Sequence, residues 1–223
     1  MPYVALKQGV RHGRKDELAI PPTTFLDELV AWGRTAPDEI FSPKGTNEIY
    51  AKVVHHLGPY KDVMHRRAVM LEVMRVLAGH ESDWHWKAGV DSHPQTEIKT
   101  AQTTEAGAWQ VSANSMKLAP ELRHLVLTRV GSVEPIKFQR AMKRDHTLAM
   151  EYIARSLRNR IDTHGPVKRC EKTTAPRGIG SNLSRDAVKE FLDYIDPSGS
   201  DMTFTKGHYI IPFRPIGGSD FWG

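Results

Sequence analysis

The chain has 223 residues, with 31 Lys or Arg against 26 Asp or Glu, a net charge of +5 and an isoelectric point near 9.3. Apolar residues make up 39%, enough for one sizeable core, and no apolar run reaches the length of a membrane-spanning helix. The one cysteine, Cys170, excludes an intrachain disulfide, fits synthesis in a reducing compartment, and sits in a polar basic run as a passive thiol.

Residues 1–22 read as a polar arm ending in Pro21-Pro22. Thr23 or Thr24 is placed to cap a short helix carrying Phe25, Leu26, Leu29, Val30 and Trp32. A Pro- and Asp-containing loop follows, and Thr46 is placed to cap a helix with Ile49, Val53, Val54 and Leu57, stopped at Gly58-Pro59. The next helix, predicted over 60–79, is apolar nearly all round: Val69, Met70, Leu71, Val73, Met74, Val76, Leu77 and Ala78. Such a helix is buried rather than laid on a surface. Residues 82–104 are polar and aperiodic, too long for an idle connector, which points to a functional loop or hairpin bracketed by Trp84, Trp86 and Trp109. Helices are predicted again from Pro120 to Val130, Glu134 to Arg144 and Thr147 to Ile161, then a loop over 168–183, and a last helix capped by Ser184. The basic clusters, Arg11 to Lys15, His65 to Arg67, Lys143-Arg144 and Arg155 to Arg160, are short and match no nucleic-acid motif, so they are expected on solvated helix faces.

Chemistry concentrates where the buried helix ends. Glu81 follows Ala78 by three residues, Leu77 by four and Met74 by seven, so a helix continued that far carries its carboxylate on the core-facing stripe. Partial desolvation disfavours the charged form and suits a general acid. Glu81-Ser82 is then followed by Glu105-Ala106-Gly107-Ala108-Trp109-Gln110-Val111-Ser112 and Asn114-Ser115. This order of motifs resembles the lysozyme superfamily, in particular goose-type lysozymes and soluble lytic transglycosylases. There too a buried helix ends in Glu-Ser, a loop and small β-hairpin follow, and a Gly-apolar-apolar-Gln motif lines the cleft. The resemblance covers about 47 residues, from Val69 to Ser115, with weaker helical support to Ile195.

The resemblance implies an α+β, mostly α-helical, lysozyme-like fold with a small β-hairpin beside a buried catalytic helix. It divides the chain into an N-terminal arm and short helix (1–45), a catalytic domain (46–197) and a tail (198–223). The implied activity is cleavage of the β-1,4 bond between N-acetylmuramic acid and N-acetylglucosamine in peptidoglycan, with Glu81 as the acid that protonates the leaving oxygen. An inverting hydrolase needs a second carboxylate, for which Asp91, Glu97 and Glu105 are candidates, with Asp91 and Glu105 preferred. A lytic transglycosylase needs none, because the sugar's own C6 hydroxyl attacks. The presence of both acids tilts the expectation towards hydrolysis. Goose-type enzymes carry acidic residues after the motif's Gln, whereas this chain has Ser112 there. Trp109, Gln110, Ser112 and Asn114 are expected at the glycan, through ring stacking and hydrogen bonds. Tyr152 resembles the tyrosine that faces the catalytic glutamate in transglycosylases, although that family's surrounding Asn-Ala-Gly is absent.

No metal site is expected. His80 and His85 miss the His-Glu-x-x-His spacing that would put both imidazoles on one helix face, and Gly178-Ile179-Gly180 completes no nucleotide-binding fingerprint. No cofactor is implied. The start of the chain lacks a charged region followed by an apolar one, so the expected enzyme is made in the cytoplasm without a signal peptide. It would reach the wall through a phage holin or a secretion system, with peptidoglycan strands as partner and an immunity protein or secretion carrier as further ones. Chitin or chitosan is an alternative substrate within the same chemistry. A non-enzymatic glycan-binding or basic nucleic-acid-binding protein is the alternative class.

Overall fold

The computed structural model of the chain describes residues 3–12, 17–45, 48–89, 100–159 and 182–196. Strands β1 (Val10–His12) and β2 (Glu17–Ala19) pair antiparallel, with Val10 opposite Ala19. Helices α1 (Thr23–Thr35), α2 (Ile49–Leu57) and α3 (Val63–Ser82) follow. A second antiparallel pair, β3 (Glu105–Ala106) and β4 (Val111–Ser112), sets Glu105 opposite Ser112. Four more helices complete the described chain: α4 (Pro120–Val130), α5 (Pro135–Arg144), α6 (His146–Asn159) and α7 (Arg185–Ile195). The described residues therefore form an α+β structure that is mostly helical.

The core is organised on α3, which packs against α1, α2, α6, α7 and β1. Every residue from Arg66 to Gly79 is buried, as an all-round apolar composition requires. Gly33 lets α1 close on α3: a Cβ there would lie 2.6 Å from Leu71 Cδ1. Leu6 and Val10 from the start of the chain belong to the same core as Phe191 and Ile195 near its described end.

Several boundaries differ from the sequence reading. α1 follows Pro22 with no side-chain cap, so Thr23 and Thr24 are first-turn residues instead of caps. The proline's extended backbone performs the entry itself. Thr46 lies outside the described residues, and α2 starts after Glu48, also without a side-chain cap. α3 starts three residues later than Tyr60, because the Asp62 carboxylate accepts the His65 amide (2.8 Å) and caps the helix there, and it runs on past Gly79 to Ser82. α4 starts at its proline, and Ser184 caps α7 by accepting the Ala187 amide (3.2 Å).

The larger departure concerns charge. Arg66 and Arg67, read as part of a solvated face, are buried. Arg66 donates to Glu48 Oε1 (2.7 Å) and to the Phe41 carbonyl (2.7 Å), and its guanidinium lies 3.7 Å from the centroid of Tyr50. Arg67 binds the Gly33 carbonyl and Asp38. Deeper still, Glu72 and Arg75 are both fully buried one turn apart on α3. Arg75 donates to both Glu72 oxygens (2.7 and 2.9 Å) and to the Gln8 carbonyl (2.8 Å), and the Ser184 amide donates to Glu72 Oε1 (2.9 Å). Burial pushes the Glu72 carboxyl up, against the opposing pull of Arg75 and the Ser184 amide. On the far side of the core, Glu121 joins Lys44 (2.8 Å), Arg155 (3.2 Å) and Asn159, and Arg155 also binds Glu39 and Glu151. Partial burial raises the Glu121 carboxyl, but the bonds from Lys44, Asn159 and Arg155 outweigh it and leave it below the usual range.

Removing one partner of a buried ion pair strands the other. Arg75→Leu is therefore expected to lower unfolding free energy by about 3–5 kcal/mol in urea denaturation, with Glu72→Leu/Arg75→Leu losing less than Arg75→Leu alone. A loss below about 1 kcal/mol for the single variant would show that the pair does not govern the core. Glu121 acts with the opposite pH sense to a raised group. Its lowered folded-state value gives stability that is present above the ordinary carboxylate range and disappears as pH falls through the lowered value. The urea midpoint of wild type should exceed that of Glu121→Gln at neutral pH, and the gap should close in acid.

Candidate functional site

The site expected from the sequence lies where α3 ends. Its last turn holds His80, Glu81 and Ser82, all partly buried, directly after the continuous buried run. Asp83 and Trp84 then both adopt left-handed backbone (φ 53° and 60°), an arrangement costly for a residue as large as Trp84. Two features hold it. The Asp83 and Trp84 amides bond back to the Gly79 and Ala78 carbonyls (both 3.2 Å), and the Trp84 ring tucks beneath the helix and donates Nε1–H to the Arg75 carbonyl (2.7 Å). Only a glycine fits at position 79, because a Cβ there would lie 2.5 Å from the Trp84 ring.

The β3–β4 hairpin docks on this helix end. Ser82 Oγ donates to the Ala108 carbonyl (2.8 Å), Trp109 Nε1 donates to the Met74 carbonyl (2.9 Å), and the Gly107 amide donates to the Ala88 carbonyl (3.0 Å). Gly107 is left-handed (φ 76°), and a Cβ there would stand 2.6 Å from the Met142 carbonyl at the end of α5. The structure thus brings the helix turn of Glu81 against the hairpin whose first strand begins at Glu105, a partly buried residue.

The expected glycan contacts divide into two groups. Trp109 is 1% exposed and packs against Phe25 and Trp86, so it belongs to the core and offers no face to a sugar. Gln110 is also buried, and its Nε2 donates to the Gly107 carbonyl (2.9 Å), closing the hairpin's own turn. Tyr152 is fully buried against Phe138 and shares a 2.6 Å hydrogen bond with Ser115 Oγ. Burial pushes its phenol well above the ordinary tyrosine range, with Ser115 pulling the other way. The rings of Trp109 and Tyr152 are taken up in packing against the core, and the Gln110 amide in closing the hairpin turn. Ser112 and Asn114 remain at the hairpin's outer side, joined by a 2.6 Å bond from Ser112 Oγ to Asn114 Oδ1, and Asn114 is exposed. Asp91 and Glu97 lie outside the described residues.

Two contacts near the site are not foreseen from the sequence, although His80 and Trp86 themselves are noted there. Asn182 Nδ2 donates to His80 Nε2 (3.1 Å), bringing the chain just ahead of α7 to the turn that carries Glu81. Trp86 is stacked flat on His146 (3.9 Å between centroids, 8° between planes), and His146 Nδ1 meets Glu28. No local pattern announces either contact, since the partners are 102 and 60 residues apart. Among the described residues no group of three His, Cys, Asp or Glu side chains is arranged to hold a metal ion, and no helix is long and apolar enough to cross a membrane. Comparison with known protein families, with curated proteins and with solved structures finds no match to this chain.

Gly107 joins two requirements, a left-handed backbone and close approach to a carbonyl. Gly107→Ala is expected to cost about 1–3 kcal/mol, read from the urea midpoint, and to alter the near-ultraviolet signal of Trp109 and Trp86 as the hairpin shifts. An unchanged midpoint would mean that the hairpin is not held against α5.

Proposed function

We propose that this chain is a lysozyme-like enzyme that cleaves the β-1,4 glycosidic bond of peptidoglycan, with Glu81 as general acid. The observation that carries the reading is the Ser82–Ala108 hydrogen bond. It fixes the end of a buried helix, with its partly buried glutamate, against a small hairpin that starts at a second glutamate. Cleavage of a glycoside needs a carboxylic acid kept protonated by desolvation beside the leaving oxygen. The final turn of α3 supplies a partly buried carboxylate at the margin between core and surface, the kind of position this reading calls for.

In the hydrolytic form of the mechanism Glu105 is the base that activates water, with Asp91 the other candidate for that role. In the lytic form Glu81 acts first as acid and then as base, and neither residue is needed. The glycan contacts assigned to this reading are Ser112 and Asn114, at the outer side of the hairpin. Trp109, Gln110 and Tyr152 act behind them, as the packing that holds the hairpin in place.

Digestion of purified peptidoglycan, with products read by mass, tests the reading. Wild type should release muropeptides, and Glu81→Gln should release them at least about a hundredfold more slowly, the scale of a lost general acid. Products ending in a reducing muramic acid give hydrolysis, and Glu105→Gln then falls as well. Products lighter by one water give the lytic route and leave Glu105→Gln active. Equal release by wild type and Glu81→Gln would overturn the assignment.

A further inference from the structure

One strongly basic stretch of this chain lies on two described helices. Residues 117–144, which form α4, α5 and their flanks, contain seven Lys or Arg and two Asp or Glu, a net of +5 that equals the charge of the whole chain. Residues 155–177 carry the same net charge, for the most part outside the described residues. The interior cations are spent on partners: Arg66, Arg67, Arg75 and Arg155 each bind a carboxylate. On α4 and α5 the pattern is mixed: Arg129 pairs with Asp145 (3.1 Å) and Lys137 with Glu134 (3.4 Å) at the surface. Arg123, Arg140 and Arg144 are exposed, and among the described residues neither they nor Lys143 makes an ion pair. Lys137, Arg140 and Arg144 fall at i, i+3 and i+7, one stripe of α5 about 10 Å long at 1.5 Å per residue.

That stripe belongs to a helix attached to the candidate site. Gln139 Nε2 donates to the Ala101 carbonyl (2.9 Å) ahead of β3, the Met142 carbonyl sits over Gly107, and Lys143 Nζ lies 3.7 Å from where a Cβ at Gly89 would be, in the segment that follows Glu81. We infer that the exposed face of α4 and α5 holds the anionic substituents of a glycan strand whose backbone lies along the β3–β4 hairpin. The inference rests on the function proposed above, whose substrate carries peptides with free carboxylates at repeating intervals along the sugar chain. Unpaired guanidinium groups are suited to such carboxylates, through charge and bidentate hydrogen bonding. A single-stranded nucleic acid is less well served: Phe138 is the one Phe, Tyr or Trp between 117 and 144, and it is fully buried, so the face offers no platform for base stacking.

The test is co-sedimentation with insoluble peptidoglycan sacculi in the Glu81→Gln background, which keeps the sacculi whole, at three NaCl concentrations. Arg140→Gln/Arg144→Gln should bind roughly tenfold more weakly at low salt and lose most of the salt dependence. Lys61→Gln/Lys189→Gln removes two exposed lysines outside α4 and α5 and should bind like the parent. Sacculi whose carboxyls have been amidated should retain the parent protein no better than unmodified sacculi retain the Arg140→Gln/Arg144→Gln protein. Equal losses in the two double variants, or parent binding unchanged by amidation, would overturn the inference. Tighter retention on duplex DNA than on sacculi at equal salt would overturn it in favour of a nucleic-acid face. Release of muropeptides by the Glu81-containing chain is scored separately. If no release occurs while binding still depends on Arg140, Arg144 and the carboxyls, the enzymatic reading fails and the binding face stands.

Discussion

A helix buried on every side must answer each of its polar groups from within the protein, and α3 sets that condition for the whole chain. Its apolar positions draw α1, α2, α6 and α7 around it. Its charged positions decide how they close. Glu72 and Arg75 satisfy each other, then take up the Gln8 carbonyl and the Ser184 amide, so the start of the chain and the cap of α7 are fastened to one point. The carbonyls of Met74 and Arg75 accept the indole N–H groups of Trp109 and Trp84, fixing the hairpin and the left-handed turn to the same stretch of helix. Leaving any of these groups without a partner would cost more than the bond contributes. The geometry around Glu81 is thus inherited from a buried polar network one to two turns before it.

The same accounting separates interior from exterior cations. Arginines that enter the core do so with carboxylates, carbonyls and aromatic faces already matched to them, as Arg66 does with Glu48, Phe41 and Tyr50. They contribute to specificity of packing and nothing to the external field, because each is neutralised where it sits. On α4 and α5, Arg129 and Lys137 have surface partners in Asp145 and Glu134, whereas Arg123, Arg140 and Arg144 face water without such matching.

Much of the framework is legible in the sequence. All-round apolarity gives α3, prolines in the first turn give α4 and α5, and a serine before a periodic run gives α7. The pairing of a helix ending in Glu-Ser with a Gly-containing hairpin is legible as order along the chain, and the structure places the two elements in contact. Burial of individual side chains is not legible in the same way. A Glu and an Arg three apart look the same on a surface helix as at the centre of a core, and His65-Arg66-Arg67 resembles any solvated basic cluster. Tryptophan offers the same ambiguity: the ring that could meet a sugar is equally suited to filling the space between a hairpin and a helix, and Trp109 takes the second course. Long-range partners such as Asn182 for His80 leave no local trace.

The bonds that reach α3 from Gln8 and Ser184 span 67 and 112 residues. During synthesis the first contact can form as soon as α3 emerges, but Ser184 follows roughly 5–20 s later at ribosomal rates. Until then Glu72 lacks one of its donors, and the groove that α7 will fill exposes the apolar flank of α3 to water. Helix α3 is therefore made early and is among the last elements to be sealed. A nascent or truncated chain ending before residue 184 is an aggregation hazard, and only the nearly complete polypeptide closes the interior behind the turn that carries Glu81.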